Sequence, residues 1–252
     1  MFAGHELEIV LPFRRPVPSI TSNYLSYPGP TTGKTHVDKL VDSILATLDQ
    51  RDAPDFVFAI DDLELANVET PDHVTRLVSD SVRRTLGATP THRAVERVRD
   101  RCSFHLLCPM LEAYFFGEPE ALIRAGAVGP PLLVGSNLED FLVGDMAFIS
   151  PSEIREHPWR RPDRMRHPKR YLSFLRDLTG AGRALYKETV DGCAALATLD
   201  WPAVFAFQPP GIAFAHALFD DLADVLGLPS PFVGNPHPLT CRKPTGTLRN
   251  LD

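Results

Sequence analysis

Three acidic side chains, Asp61, Asp62 and Glu64, follow the apolar run "DFVFAI". Asp62 and Glu64 are two apart, so in extended backbone they point to the same side. Hard oxygen ligands grouped where a buried strand opens into a loop suit Mg²⁺, which takes one or two carboxylates and completes its octahedron with water and substrate phosphate. The competing reading is a turn capped by Asp61 or Asp62, with Glu64 in solvent. Glu112 lies among apolar neighbours in "CPMLEAYFF", where an unpaired carboxylate is costly. It therefore needs a basic partner, or it completes a metal cluster with the Asp61 group on a neighbouring strand. Further on, Tyr186 and Lys187 precede a small-residue helix in "LYKETVDGCAALATLDW". Lys187 would contact a phosphate or stabilise charge in phosphoryl transfer, or else be an ordinary surface lysine.

A second stretch, "YPGPTTGKTHVDKL", has the look of a phosphate-binding loop. The pattern Gly-x-x-x-x-Gly-Lys-Ser/Thr fails on counting: the position five before Gly33 is Pro28, and Pro28 and Pro30 remove two N–H donors from the would-be cradle. Thr35 reads instead as the cap of a helix. Cys193 and His216 have no partner at catalytic spacing, and no nucleophile elbow or zinc-protease motif is present.

The elements that must position these groups follow from periodicity. Val37, Leu40, Val41, Ile44, Leu45 and Leu48 fall at helical spacing after Thr35. "DFVFAI" has the continuous apolar character of a strand covered on both faces. A second helix runs from Thr70-Pro71 to Gly87, and an Arg-rich stretch over 92–101 leads into the strand "CSFHLLC". "LEIVLPF" (7–13) is an early or edge strand interrupted by Pro12. The order of helices and strands argues for a parallel α/β sheet. After Cys108 the chain reads as mainly helical, with "MLEAYFFGEPEALIRAG", "KRYLSFLRDL" and "IAFAHALFDDLADVLG" as helices and 130–170 rich in proline and charge. The expected organisation is an α/β domain over 1–125, a helical extension packed on it over 126–230, and an irregular tail or partner-binding arm over 231–252.

With 252 residues, 44% of them apolar, the chain has enough material for a real core. A net charge of -6 gives no global attraction to nucleic acid and leaves local Arg clusters to grip a phosphate backbone. Four dispersed cysteines without a CxxC pair argue against zinc and for free thiols in a reducing compartment. No run approaches the roughly 20 apolar residues of a membrane span, so the expectation is a cytoplasmic protein without a membrane partner.

Taken in order, "GKTHVDKLVDSILATL", "FVFAIDDLEL", "HLLCPMLEAYFFGEPEAL", "HPKRYLSFL" and "LYKETVDGCAALATLDW" resemble the bacterial domain-of-unknown-function family 4276, over roughly residues 33 to 225. That family looks like a divergent branch of the Toprim fold of topoisomerases, primases and related nucleases. The resemblance implies a Toprim-like parallel sheet flanked by helices, with Asp61, Asp62 and Glu64 holding Mg²⁺ (or Mn²⁺), Glu112 completing the cluster or acting as base, and Lys187 facing the phosphate. The family's opening strand ending in Glu-Gly has no counterpart, since the first strand ends "VLPFRRP", and Asp62-x-Glu64 replaces the usual Asp-x-Asp. The implied function is a metal-dependent nuclease, or related phosphodiester-cleaving enzyme, acting on DNA or RNA in defence against phage and mobile elements. The alternative is a non-catalytic Toprim-like subunit that binds a protein partner in a defence complex.

Overall fold

Thr35 starts the first helix for a local reason. Its hydroxyl accepts the Asp38 N–H while the Asp38 carboxylate accepts the Thr35 N–H, a reciprocal capping box that satisfies two N–H groups the helix leaves orphaned. The same Asp38 carboxylate receives Ser81 (2.7 Å) and Arg84 (2.8 Å) from the second helix, which ties the two helices together. The computed structural model describes residues 8, 19–25, 33–87, 91–149, 164–177, 186–207 and 211–252. The expected strand over 7–13 lies outside them, apart from Glu8.

In chain order the elements are α1 (His36–Leu48), β1 (Val57–Asp62), α2 (Pro71–Leu86), α3 (His92–Arg101), β2 (Cys102–Leu107), α4 (Glu112–Phe115) and α5 (Pro119–Arg124). They continue with α6 (Pro168–Arg176), a π-helical turn (Glu188–Gly192), α7 (Cys193–Leu196), α8 (Trp201–Phe207) and α9 (Ala213–Val225). The fold is mixed helix and strand, with β1 and β2 forming a two-stranded parallel sheet. Every residue of β2 is buried, as its apolar run implies. In β1, by contrast, Ile60 is 50% exposed, so one face is not fully covered as the run suggested. The Arg-rich stretch 92–101 is a full helix, α3, capped by the Thr91 hydroxyl on the Ala94 N–H. Val98 alone is fully buried there, which leaves little apolar period for a sequence reading to find.

The chain divides into two compact units that are not contiguous in sequence. The first comprises residues 1–106, 214–231 and 236–252; the second comprises 107–213 and 232–235. In the first, α1 and α2 pack on each other, and Val41, Ile44, Val74, Val78 and Val82 on them are all at most 2% exposed. The C-terminal segment, expected to be an irregular tail, has neither helix nor strand yet is no loose tail. Leu248, Arg249, Asn250 and Leu251 are each at most 7% exposed.

Its hold on the unit is built from hydrogen bonds. The Arg249 N–H donates to the Cys102 carbonyl (2.8 Å), and the Asn250 side-chain amide accepts the Phe104 N–H (3.0 Å) and donates to the Phe104 carbonyl (2.6 Å). Asn250 thus does for β2 what a peptide group of a neighbouring strand would do. The second unit has an aromatic core in which Phe116, Phe141, Phe148 and Tyr171 stand 4.9 to 5.7 Å apart between ring centres in successive contacts. An antiparallel bridge between Leu133 and Val143 supports it.

Candidate active site

Glu112 opens α4, and the three residues after it, Ala113, Tyr114 and Phe115, are completely buried. This packing draws the Glu112 side chain inside with them, to 5% exposure. Tyr114 anchors the turn: its hydroxyl donates to Glu139 Oε1 (2.9 Å) and accepts the Cys108 N–H (3.2 Å). The buried carboxylate then needs partners, and the second unit supplies them. Tyr186 donates its phenol to Glu112 Oε1 at 2.9 Å. The Lys169 ammonium, on the first turn of α6 after Pro168, stands 3.9 Å from Glu112 Oε2 and 3.2 Å from Glu188 Oε1. Glu112 Oε2 is buried and, among the described residues, accepts no hydrogen bond.

A glycine makes the Tyr186 contact possible. A Cβ on Gly192 would lie 2.4 Å from the Tyr186 hydroxyl, so any larger residue there pushes the phenol off the carboxylate. Gly192 closes the π turn, where the N–H groups of Val190, Asp191 and Gly192 all converge on the Lys187 carbonyl. Such turns within helices are uncommon and recur at functional sites. Arg176 steadies the turn by pairing with Asp191 at 2.7 Å, and the Asp191 carboxylate also accepts the Lys187 N–H at 2.8 Å.

The electrostatics follow from this enclosure. Burial lifts the Glu112 carboxyl above its ordinary range, against the lowering pull of Lys169 and the Tyr186 hydrogen bond. Burial, and then the Glu112 carboxylate beside it, raises the Tyr186 phenol, keeping it a proton donor. On the same segment, burial and the cations of Arg170 and Lys169 depress His167 to about 4, so this imidazole is neutral at pH 7. Burial and Arg164 lower the Arg170 guanidinium as well. Four cationic side chains, Arg164, Arg166, Lys169 and Arg170, flank the neutral His167 within "RMRHPKR". A carboxyl tuned toward neutrality, with a phenol on one oxygen and an ammonium facing the other, can pass a proton and hold an anion.

The expected site residues are distributed between the two units. Glu112 and Lys187 belong to the second, and Asp61, Asp62 and Glu64 to the first. Lys187 is exposed, and the lysine beside Glu112 is Lys169 instead. The segment "HPKRYLSFL" carries no local signal for its lysine, because only the packing of α4 on α6 brings Lys169 to Glu112. Glu188, next to Lys187, likewise has no local signal in the sequence.

In the first unit, Asp61 and Asp62 are the last residues of β1 rather than the start of a loop. Asp61 Oδ2 accepts the Ile20 N–H (2.8 Å) and Oδ1 the Asp62 N–H (3.0 Å), and burial raises its pKa. The carboxylate therefore caps the backbone of the segment over 19–25, which Asn67, completely buried, clamps further through the carbonyls of Thr21 and Asn23 and the N–H of Leu25. Glu64 sits in a left-handed turn with φ of 57°. Both Asp61 oxygens thus already accept a backbone N–H. Among the described residues no three His, Cys, Asp or Glu side chains gather as a metal-binding set.

Lys34, the lysine of the apparent phosphate loop, pairs with Asp42 at 2.6 Å. Ser103, His105 and Asp221 meet in the first unit, but both Ser103 Oγ and His105 Nε2 bond to Asp221 Oδ2, so the His105 imidazole is not placed to activate the hydroxyl. All three are at most 2% exposed, and Arg249 completes the network through Asp221 Oδ1 (3.1 Å). It joins the C-terminal segment to β2 and α9 and is structural.

No family model matches the chain, and comparison with curated proteins and with solved structures gives no significant match. Among the described residues no single helix is long and apolar enough to cross a membrane.

Proposed function

We propose that this chain cleaves phosphodiester bonds of nucleic acid, with Glu112 as the group that moves the proton. The observation that carries the reading is the buried Glu112 carboxylate, one oxygen hydrogen-bonded by Tyr186 and the other, without a hydrogen bond, facing Lys169. A carboxyl whose pKa lies above the usual range suits a general base that takes a proton from an attacking water or hydroxyl near neutral pH. Tyr186 holds the carboxylate in place, and Lys169 supplies positive charge to the phosphate oxygens as they gain negative charge. The neighbouring basic stretch favours a polyanion despite the chain's overall charge of -6.

Mg²⁺ or Mn²⁺ is the proposed cofactor, supplying charge neutralisation at the phosphate. Because Asp61 is committed to backbone N–H groups, the ion would arrive with the substrate rather than in a prebuilt acidic cage. The parallel β1–β2 pair, with α2 and α3 between its strands in sequence, is compatible with a divergent Toprim-like fold in a cytoplasmic defence protein, and that assignment is part of the proposal.

The test is cleavage of labelled DNA and RNA strands with Mg²⁺, with Mn²⁺ and with chelator, for wild type, Glu112→Gln and Asp62→Ala. Metal-dependent cleavage lost in Glu112→Gln supports the reading. Absence of cleavage of either nucleic acid under all three conditions removes it, and the non-catalytic subunit then becomes the better account. Loss in Asp62→Ala with retention in Glu112→Gln would return the chemistry to the first unit.

A further inference from the structure

Lys169 is held between two carboxylates in unlike surroundings. The Glu112 side chain is 5% exposed and the Glu188 side chain 61% exposed, while Lys169 itself is 18% exposed. The inner carboxylate is fixed by Tyr186 and by the packing of α4. The outer one projects from the first residue of the π turn, and its pair with Lys169 is the closer of the two, at 3.2 Å against 3.9 Å. Glu188, largely in solvent, is rehydrated when it lets go, so it can leave Lys169 more readily than the buried Glu112 can. The place it vacates lies against an ammonium, beside a buried carboxylate oxygen with no hydrogen bond, on a segment of basic residues. A phosphate oxygen has the charge and acceptor character to take that place.

We propose that Glu188 is a displaceable stand-in for the substrate phosphate: its carboxylate occupies the position beside Lys169 that a backbone phosphate of the nucleic acid takes on binding. Lys169 is thereby the anion-holding residue of the site, and Glu188 sets a threshold that substrate must overcome. This inference rests on the site reading above, and it makes a prediction about binding that does not require turnover. While Glu188 remains, an arriving phosphate competes with it for one ammonium and meets the charge of Glu112 as well. With Glu188 neutral, the competitor is gone and Lys169 keeps its inner partner.

The experiment measures binding of a short fluorescein-labelled DNA strand and of an RNA strand of the same sequence by fluorescence anisotropy in chelator, with inorganic phosphate as competitor. Wild type, Glu188→Gln, Glu188→Asp, Lys169→Met and the double variant Glu188→Gln/Lys169→Met are compared. Glu188→Gln is expected to bind about three- to fivefold more tightly, the size of one exposed ion pair removed from competition. Inorganic phosphate should displace the strand from this variant at correspondingly lower concentration. Glu188→Asp, with charge kept and reach shortened, should fall between. In the Lys169→Met background the Glu188→Gln gain should disappear, an outcome that a general charge effect of removing one carboxylate would not produce. If cleavage occurs, Glu188→Gln lowers KM, as expected for a change in ground-state binding.

Equal affinity of Glu188→Gln and wild type overturns the inference, as does a gain that persists in Lys169→Met; either result leaves the cleavage reading to its own assay. A Lys169-dependent gain in a protein that cleaves nothing sustains the anion site and removes the nuclease reading.

Discussion

Replacing Asn250 by Ala should destabilise the first unit by about 3 kcal/mol or more. The side-chain amide accepts the Phe104 N–H at 3.0 Å and donates to the carbonyls of Phe104 (2.6 Å) and Thr240 (3.1 Å), and Asn250 is completely buried. Truncation to a methyl leaves three backbone groups without these partners in a site closed to solvent. An unsatisfied buried group costs about 1 to 3 kcal/mol each, so partial relaxation still leaves a loss near the lower sum. Chemical denaturation followed by circular dichroism measures the midpoint shift, and limited proteolysis should reveal cleavage in the C-terminal segment of the variant before elsewhere. Asn250→Asp provides a sharper test. It keeps the acceptor for Phe104 but turns a carboxylate oxygen toward two carbonyls, so its folded pKa must rise. Its stability should therefore be greater at low pH, where the carboxyl can donate, and should fall as pH rises through that raised value. A loss under about 1 kcal/mol for Asn250→Ala would refute the view that this side chain completes the edge of β2.

Other expectations can be checked by standard means. Gly192→Ala places a methyl 2.4 Å from the Tyr186 hydroxyl, so it should reduce any cleavage rate as much as Tyr186→Phe does, with a double variant no worse than either; additive losses would contradict a shared cause. His167, depressed to about 4, binds fewer protons in the folded state than in the unfolded one. Its contribution, at most about 3 kcal/mol, is present above pH 6.5 and lost as pH falls toward 4. His167→Gln should flatten that part of the stability profile, and an unchanged profile would count against the burial argument.

Much of the fold was legible because its causes are local. Thr35 and Asp38 are three apart and cap each other, so the start of α1 needs no tertiary information. The apolar run of β2 is buried throughout, as its composition implies. The C-terminal segment was opaque for the opposite reason: its partner, Phe104, is 146 residues away, and one asparagine amide does the work of a strand that no periodicity marks.

The candidate site was half legible. Glu112 stood out as a charge among apolar neighbours, and the need for a partner followed from desolvation alone. Which lysine answers that need was not readable, because Lys169 and Lys187 are both plausible by type and only the packing of α4 against α6 selects the first. At Asp61 the backbone role was not readable, because a carboxylate that caps backbone N–H groups and one that binds a cation look alike in sequence.

The central claim is that Glu112 moves the proton, and the pH dependence of cleavage tests it most directly. For wild type, kcat/KM should fall on the acid side through a pKa above the ordinary glutamate value, because burial disfavours the charged form that acts as base. Glu112→Gln should lose about a hundredfold or more of the rate and, in what activity remains, that acid limb. A folded Glu112→Gln protein that cleaves at the wild-type rate with the same pH profile would contradict the account.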